Sequence, residues 1–222
     1  MGLTHHHSLL RNGNDALVPS GKAIQINSAT YDLAPAWSMV NNFAVETWYQ
    51  IRKDLTARIV GSSGFTPRFD FSEAGPYFKV TKYAVVDIYI GDSSIIKDGL
   101  WHHFLVSYSS TKGVQIYIDG VLNGTSSNTQ NCRADLQANG IGNGRFENYR
   151  IWNNPLTAAE AYGLAKGIEM PDRSKLYMEF LFDEPYGNFL DTSGNNRTWA
   201  PRVATRMASN VKTTTPWTVN GG

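Results

Sequence analysis

The sequence predicts an all-β fold, a two-sheet antiparallel jelly-roll sandwich with one short helix. Three observations carry this. The stretch 98–125, DGLWHHFLVSYSSTKGVQIYIDGVLNGT, holds two strand-like runs, 101–108 and 114–118, with small polar residues at 109–113 between them. Asp119 and Gly120 then mark a second reversal, because both residues tolerate positive φ. About eleven to thirteen short runs of this kind follow one another, with turn signals every eight to twelve residues or so. No alternation of strand and helix patterns interrupts them, which excludes the α/β class. A three-stranded meander with one apolar face is not stable alone and has to bury that face against a second sheet.

The first residues, MGLTHHHSLLRNGND, contain no apolar h-region or cleavage-like site, and His6 occupies the place where a myristoylation signal has Ser or Thr. Residues 1–22 are expected to be an extended arm. The run His5 to His7 reads as exposed polar tail rather than a metal site, since no Cys or acidic residue is close to it. The sandwich is expected over 23–190, beginning with the strand AIQI at 23–26, followed by turn formers and Pro35. The run FAVETWYQ at 43–50 is too apolar on both faces for an edge and belongs in the middle of a sheet. Further strands are expected at 56–60, 68–71, 77–81 and 83–90, and then comes the meander. RFENYRIW at 145–152 alternates as a strand. Thr157 and Glu160 have the spacing of a capping box, 158–166 are good helix formers and Gly167 is a natural stop, so one helix is expected, plugging an open end of the sandwich. LYMEFLF at 176–182 is the last strong strand. From 191 to 222 the chain is polar and Thr/Asn-rich, which predicts an extended tail without a core of its own.

Composition narrows the function. Twenty basic and nineteen acidic residues, in no long runs, give a net charge of +1, which argues against electrostatic binding to nucleic acid or to a membrane surface. No apolar run approaches the roughly 20 residues of a membrane span. The single Cys132 allows no intrachain disulfide. Without a secretory signal the chain is expected to be made in the cytoplasm, with a virion or another extracellular assembly as its destination.

Three segments carry a resemblance. FAVETWYQ at 43–50, DGLWHHFLVSYSSTKGVQIYIDG at 98–120, and the block from Gly140 through RIWNNPLTAAEAYGLAKG resemble successive signatures of the laminin-G-like jelly roll. That is the concanavalin A-like lectin/glucanase superfamily, which includes the pentraxin-type domains. The likeness covers 23–167 and implies two curved antiparallel sheets of six or seven strands. The segment FLFDEPYGNFLDTSGNN at 180–196 resembles one that usually precedes such a domain, and here it follows. Either the order is circularly shifted, or the last strand fills the first strand's slot beside 23–26; a truncated second repeat is the other alternative, for which too few residues remain. The disulfide of many extracellular members is absent.

Catalytic members of that superfamily hydrolyse glycans with paired carboxylates on one strand, about 5–5.5 Å apart for retention and about 6.5–9.5 Å for inversion. No acidic pair two residues apart lies within a strand; Glu46, Asp87 and Glu179 each stand alone. No catalytic residues are therefore expected. His102 and His103 are adjacent, so on a strand they face opposite sides and cannot share a site. They read as scaffold, one semi-buried and one on the outer face. Cys132 has no activating partner.

A simple meander would gather Lys53, Asp54, Glu73, Asp92, Asp98, Asp119 and Asn143 at one end of the sandwich, and Lys82 with the polar stretches 62–63, 109–112 and 123–131 at the other. The first rim is rich in hard oxygen ligands, and many laminin-G-like domains bind calcium at such a rim. Glu73, Asp92, Asp98 and Asn143 are the candidate Ca²⁺ ligands, although Asp in loops is also ordinary turn chemistry. Trp37, Tyr77, Tyr83 and Trp152 are the candidate platforms on which a sugar ring could stack, each with core packing as the competing role. Two functions remain open: a non-catalytic structural or recognition subunit of a larger assembly such as a phage virion or tail, contacting neighbouring subunits through its two extended ends, or a glycan-binding adhesion domain, with calcium as an optional partner.

Overall fold

Alternation along one central strand sets the layers. In β4 (Asn42–Gln50) Phe43, Val45 and Tyr49 face the main core, while Ala44, Glu46 and Trp48 face the other way. A computed structural model describes residues 21–26, 32–34, 37–40, 42–52, 54–55, 58–60, 69–74, 77–82, 86–127, 129, 133–136, 139–168, 171–201 and 204–208. The remaining strands are β1 (Lys22–Ile26), β2 (Asp32–Ala34), β3 (Trp37–Val40), β5 (Arg58–Val60), β6 (Phe69–Ala74), β7 (Tyr77–Lys82), β8 (Val86–Ile90), β9 (Trp101–Ser109), β10 (Gly113–Ile118), β11 (Val121–Ser126), β12 (Arg133–Leu136), β13 (Asn139–Ile141), β14 (Gly144–Trp152), β15 (Leu176–Phe180), β16 (Phe189–Leu190), β17 (Thr198–Trp199) and β18 (Thr205–Ala208). The one α-helix among the described residues is α1 (Ala158–Lys166).

The larger sheet runs β11-β10-β9-β4-β14-β1-β18, with β15 also paired to β14. The smaller sheet is β5-β6-β7-β8, and three two-stranded ladders, β12–β3, β13–β2 and β16–β17, complete the set. The described strands thus divide eight to four with short ladders, rather than into two sheets of six or seven. Phe43, Val45, Phe104, Val106 and Tyr108 of the larger sheet meet Ile59, Phe78 and Ile90 of the smaller one in the core.

The meander is β9, β10 and β11, as expected. Its second reversal has left-handed backbone at Asp119 (φ 53°) and Gly120 (φ 82°), the geometry that turns two strands with matching twist.

The helix has the expected ends. The Thr157 hydroxyl accepts from the Glu160 amide, the Glu160 carboxylate accepts from the Thr157 amide, and Gly167 closes the helix with φ 64°. Its place differs from the expectation. It lies on the outer face of the larger sheet, not at an open end. Ala161 and Leu164, three residues apart on one side of the helix, pack with Leu156 and Leu176 over Ala44, Leu105, Tyr117 and Trp152. That face of the sheet carries apolar residues of its own and needs a cover.

Residues beyond the expected boundary at 190 also pack on the sandwich. Trp199 is fully buried, and β18 pairs antiparallel with β1, from Lys22 opposite Ala208 to Gln25 opposite Thr205. The strand beside β1 is therefore β18, whereas β15 pairs with β14. A bulge at Asn148 (φ 52°) lets one edge of β14 hold β1 along its first part and β15 along its second.

Candidate binding surface

Phe78 and Ile90 are register partners, and both point into the core. Their neighbours Tyr77 and Tyr89 must then point out of the smaller sheet. They are 49% and 54% exposed. Tyr89 is opposite Lys79 in the ladder, which makes Tyr77 and Tyr89 a diagonal cross-strand pair. Such pairs sit about 7–8 Å apart, within reach for two rings to act on one ligand.

The end of β8 is fixed beside this pair. A methyl group on Gly124 would lie 2.6 Å from the Gly91 amide nitrogen, so the backbones of β11 and the β8 turn touch there. Asn123 then clips the turn from both sides: its Oδ1 accepts from the Asp92 amide at 2.8 Å, and its Nδ2 donates to the Asp92 carbonyl at 3.3 Å. Asn123 and Asp92 thus meet, although a simple meander assigns them to opposite rims. The Asp92 carboxylate accepts from the Ser94 amide, and hydrogen bonding to Ser94 holds it below the usual carboxylate range.

A second clasp lies at the start of β9. His102 Nδ1 is 2.8 Å from Asp119 Oδ2, and Nε2 is 3.0 Å from Asp98 Oδ1. Asp119 also accepts from the His103 amide, and its own amide donates to the His103 carbonyl. Two carboxylates facing two ring nitrogens demand the doubly protonated imidazolium. Burial pushes His102 down, but its hydrogen bonds to the Asp119 and Asp98 carboxylates outweigh this and raise its pKa above the ordinary value. A raised folded value gives stability that is complete below the unfolded value of about 6.5 and is lost as pH rises through the folded one. Melting temperature should therefore fall across that alkaline-going window, and His102→Gln should remove the step. Parallel thermal melts of both proteins at about pH 6 and about pH 9 check this; superimposable pH profiles would show that the clasp carries no proton-linked stability.

His103 faces the other side of β9 and is fully buried, with its Nε2 3.1 Å from Glu46 Oε1. Both histidines are thus scaffold. Next to His103 runs a buried ionic row across three strands. Arg150 of β14 is the register partner of Glu46 in β4 and of Glu179 in β15. Its guanidinium donates to Glu46 Oε1 at 2.8 Å and to Glu179 Oε1 at 2.7 Å. Arg173 and Thr192 donate to Glu179 Oε2, each at its own 2.8 Å or 2.7 Å. Burial pushes the Glu46 carboxyl up, but Arg150 and His103 outweigh it and hold it below the usual range. Burial likewise raises Glu179, and Arg150 and Arg173 bring it down to about 2. The two glutamates that stand alone in sequence therefore do meet, around a cation and out of solvent. A general acid needs a raised pKa and access to substrate, and neither carboxyl has either.

Of the two expected sugar platforms whose side chains are described, Tyr77 presents an exposed ring. Trp152 is buried beneath α1, with its Nε1 donating to Glu46 Oε2 at 3.4 Å, and cannot stack on a ligand. Trp37 lies in β3, with its side chain outside the described residues, as is all of Tyr83. Tyr89, six residues after Tyr83 in the same run, is an exposed ring that is not among the expected platforms. Among the expected calcium ligands, Asp98 is engaged with the Leu100 amide and His102. The Asn143 carbonyl accepts from the Tyr49 hydroxyl, and Glu73 lies in β6 with its side chain outside the described residues. Among the described residues, no three His, Cys, Asp or Glu side chains group so as to hold a metal ion. His5 to His7 and Cys132 lie outside the described residues.

A laminin-G-type family model, described as Concanavalin A-like lectin/glucanases superfamily, matches residues 21–161. Solved structures with a similar fold include the heptameric SAP-like pentraxin from Limulus polyphemus, at 15% identity and a TM-score of 0.58, covering 87% of this chain and 98% of that one. A candidate carbohydrate binding protein from Bacteroides ovatus is similar at 14% identity and a TM-score of 0.51, over 85% of this chain. The chain spans only 58% of the Bacteroides protein's length. The botulinum neurotoxin serotype G binding domain is similar at 17% identity and a TM-score of 0.51, over 67% of this chain and 43% of its own. At these identities the likeness is one of fold. No curated protein matches the chain.

Proposed function

Since the chain belongs to the concanavalin A-like lectin/glucanases superfamily, we propose that it is a non-catalytic recognition module that binds a glycan through the Tyr77–Tyr89 surface. The observation that carries this is the exposed diagonal tyrosine pair, outside the core and fixed at one end by the Asn123 clip. Exposed aromatic rings give the apolar face of a sugar something to stack on, and the neighbouring turn supplies polar atoms. The neutralised and buried Glu46–Arg150–Glu179 row supports a role without catalysis.

The module is proposed to work inside a larger assembly such as a virion or tail. The apolar residues Val121, Leu122, Tyr162 and Ile168, exposed among the described residues, favour such a setting.

A glycan array with wild-type protein, Tyr77→Ala and Tyr89→Ala tests the ligand reading. Each substitution should weaken binding about tenfold, or roughly 1.4 kcal/mol. Running the array with calcium and with EDTA decides whether the expected cation takes part. No bound glycan at high protein concentration, or equal binding by both variants, would sink the proposal.

A further inference from the structure

The solvent side of α1 is unusual for a helix that covers a core. Ala161, Gly163 and Leu164 face inward; Ala158, Ala159 and Tyr162 face out, with Lys166 as the one exposed cation beside them. Surface helices ordinarily turn a charged face to water. The adjoining hairpin continues this apolar surface. A methyl group on Gly120 would lie 2.8 Å from Tyr162 Cα and 3.2 Å from Ala165 Cβ, so the turn rests directly on the helix. The next two residues, Val121 and Leu122, are 65% and 48% exposed; Leu122, opposite Tyr117, is on the helix side of the sheet, and Val121, opposite Ile118, is on the other.

Both belong to β11, the terminal strand of the larger sheet. Its sequence, VLNGTS, contains no charge and no proline, the usual devices that keep an edge from associating. The register shift between Ile116 and Tyr117, opposite Asn123, interrupts the ladder. Association at this edge is therefore a matter of side chains rather than of one long continuous sheet.

We propose that β11 and the outer side of α1 form a two-fold contact surface for a second copy of this chain. The charge pattern selects that occupant. Glu160 is in the first turn of α1 and Lys166 in the last. A two-fold axis near Tyr162 packs the helix antiparallel to its mate, which brings Glu160 toward the mate's Lys166 and opposes the helix dipoles favourably. The uncharged β11 meets its own copy without like-charge repulsion. The face is thus complementary to itself, and it offers neither an acidic nor a basic partner a matching field.

Sedimentation velocity of the full chain over a concentration series tests the proposal, with Leu122→Glu, Tyr162→Glu and a control, Tyr186→Glu, on the exposed 185–188 loop. Wild type and the control should form a dimer, and each of the other two should raise the dimer dissociation constant at least tenfold while keeping the wild-type circular dichroism spectrum. Two substitutions on separate elements guard against one failing to fold. A wild-type monomer up to roughly 0.1 mM, a range that includes weak dimers, would overturn the proposal. So would an oligomer whose dissociation neither substitution changes, since its contact would then lie elsewhere.

Discussion

Arg150→Met should destabilise the protein by about 3–5 kcal/mol, measured as a lower midpoint at unchanged slope in guanidinium denaturation. The guanidinium is all but inaccessible and bridges two carboxylates that are themselves about 1% exposed. Removing it leaves Glu46 with His103 and Trp152, and Glu179 with Arg173 and Thr192. Both charges would remain buried without the cation between them. The net worth of the intact row is a separate matter and can be small, because burying all three charges is itself costly. Arg150→Lys should recover little, since one ammonium cannot donate along the two directions the guanidinium uses. A loss below about 1 kcal/mol for Arg150→Met would mean that the row is effectively solvated.

Trp199→Ala should cost a similar amount, about 3–5 kcal/mol. Trp199 sits among Phe180, Phe182, Phe189 and Tyr149, with ring centroids 5.4, 5.5, 6.1 and 6.1 Å away. It is fully buried, so truncation opens a large cavity beside these four rings. The same denaturation experiment reads it out. A wild-type midpoint would return residues 191–208 to the status of a dispensable tail.

That second case shows where the sequence was readable and where it was not. The meander, the capping box at Thr157 and Glu160, and the central position of 43–50 were legible because each signal is local. The role of 191–208 was not. Its composition is polar, its strands are two to four residues long, and its one aromatic residue, Trp199, finds partners only through the fold. The ionic row hid for a related reason. Glu46, Arg150 and Glu179 lie on three strands, and only the cross-strand register, with its bulge at Asn148, aligns them. A search for acidic pairs within one strand passes over carboxylates that meet sideways. Among the aromatic candidates, Tyr77 was recognisable, but Tyr89 depended on knowing that Ile90 faces inward. Trp152 looked available because nothing in RFENYRIW announces that a helix will cover that side of the sheet.

The pairing of β1 with β18 has a mechanical consequence. Lys22 is opposite Ala208, so the two ends of the described body emerge side by side at one edge. A load applied between them would open the ladder one hydrogen-bonded pair at a time, as a zip opens. A load between either end and a distant surface would instead act along β1 or β18 and strain all the bonds of that ladder together. The same contact is therefore weak or strong according to where the protein is anchored, and a tether at one end alone uses the strong direction.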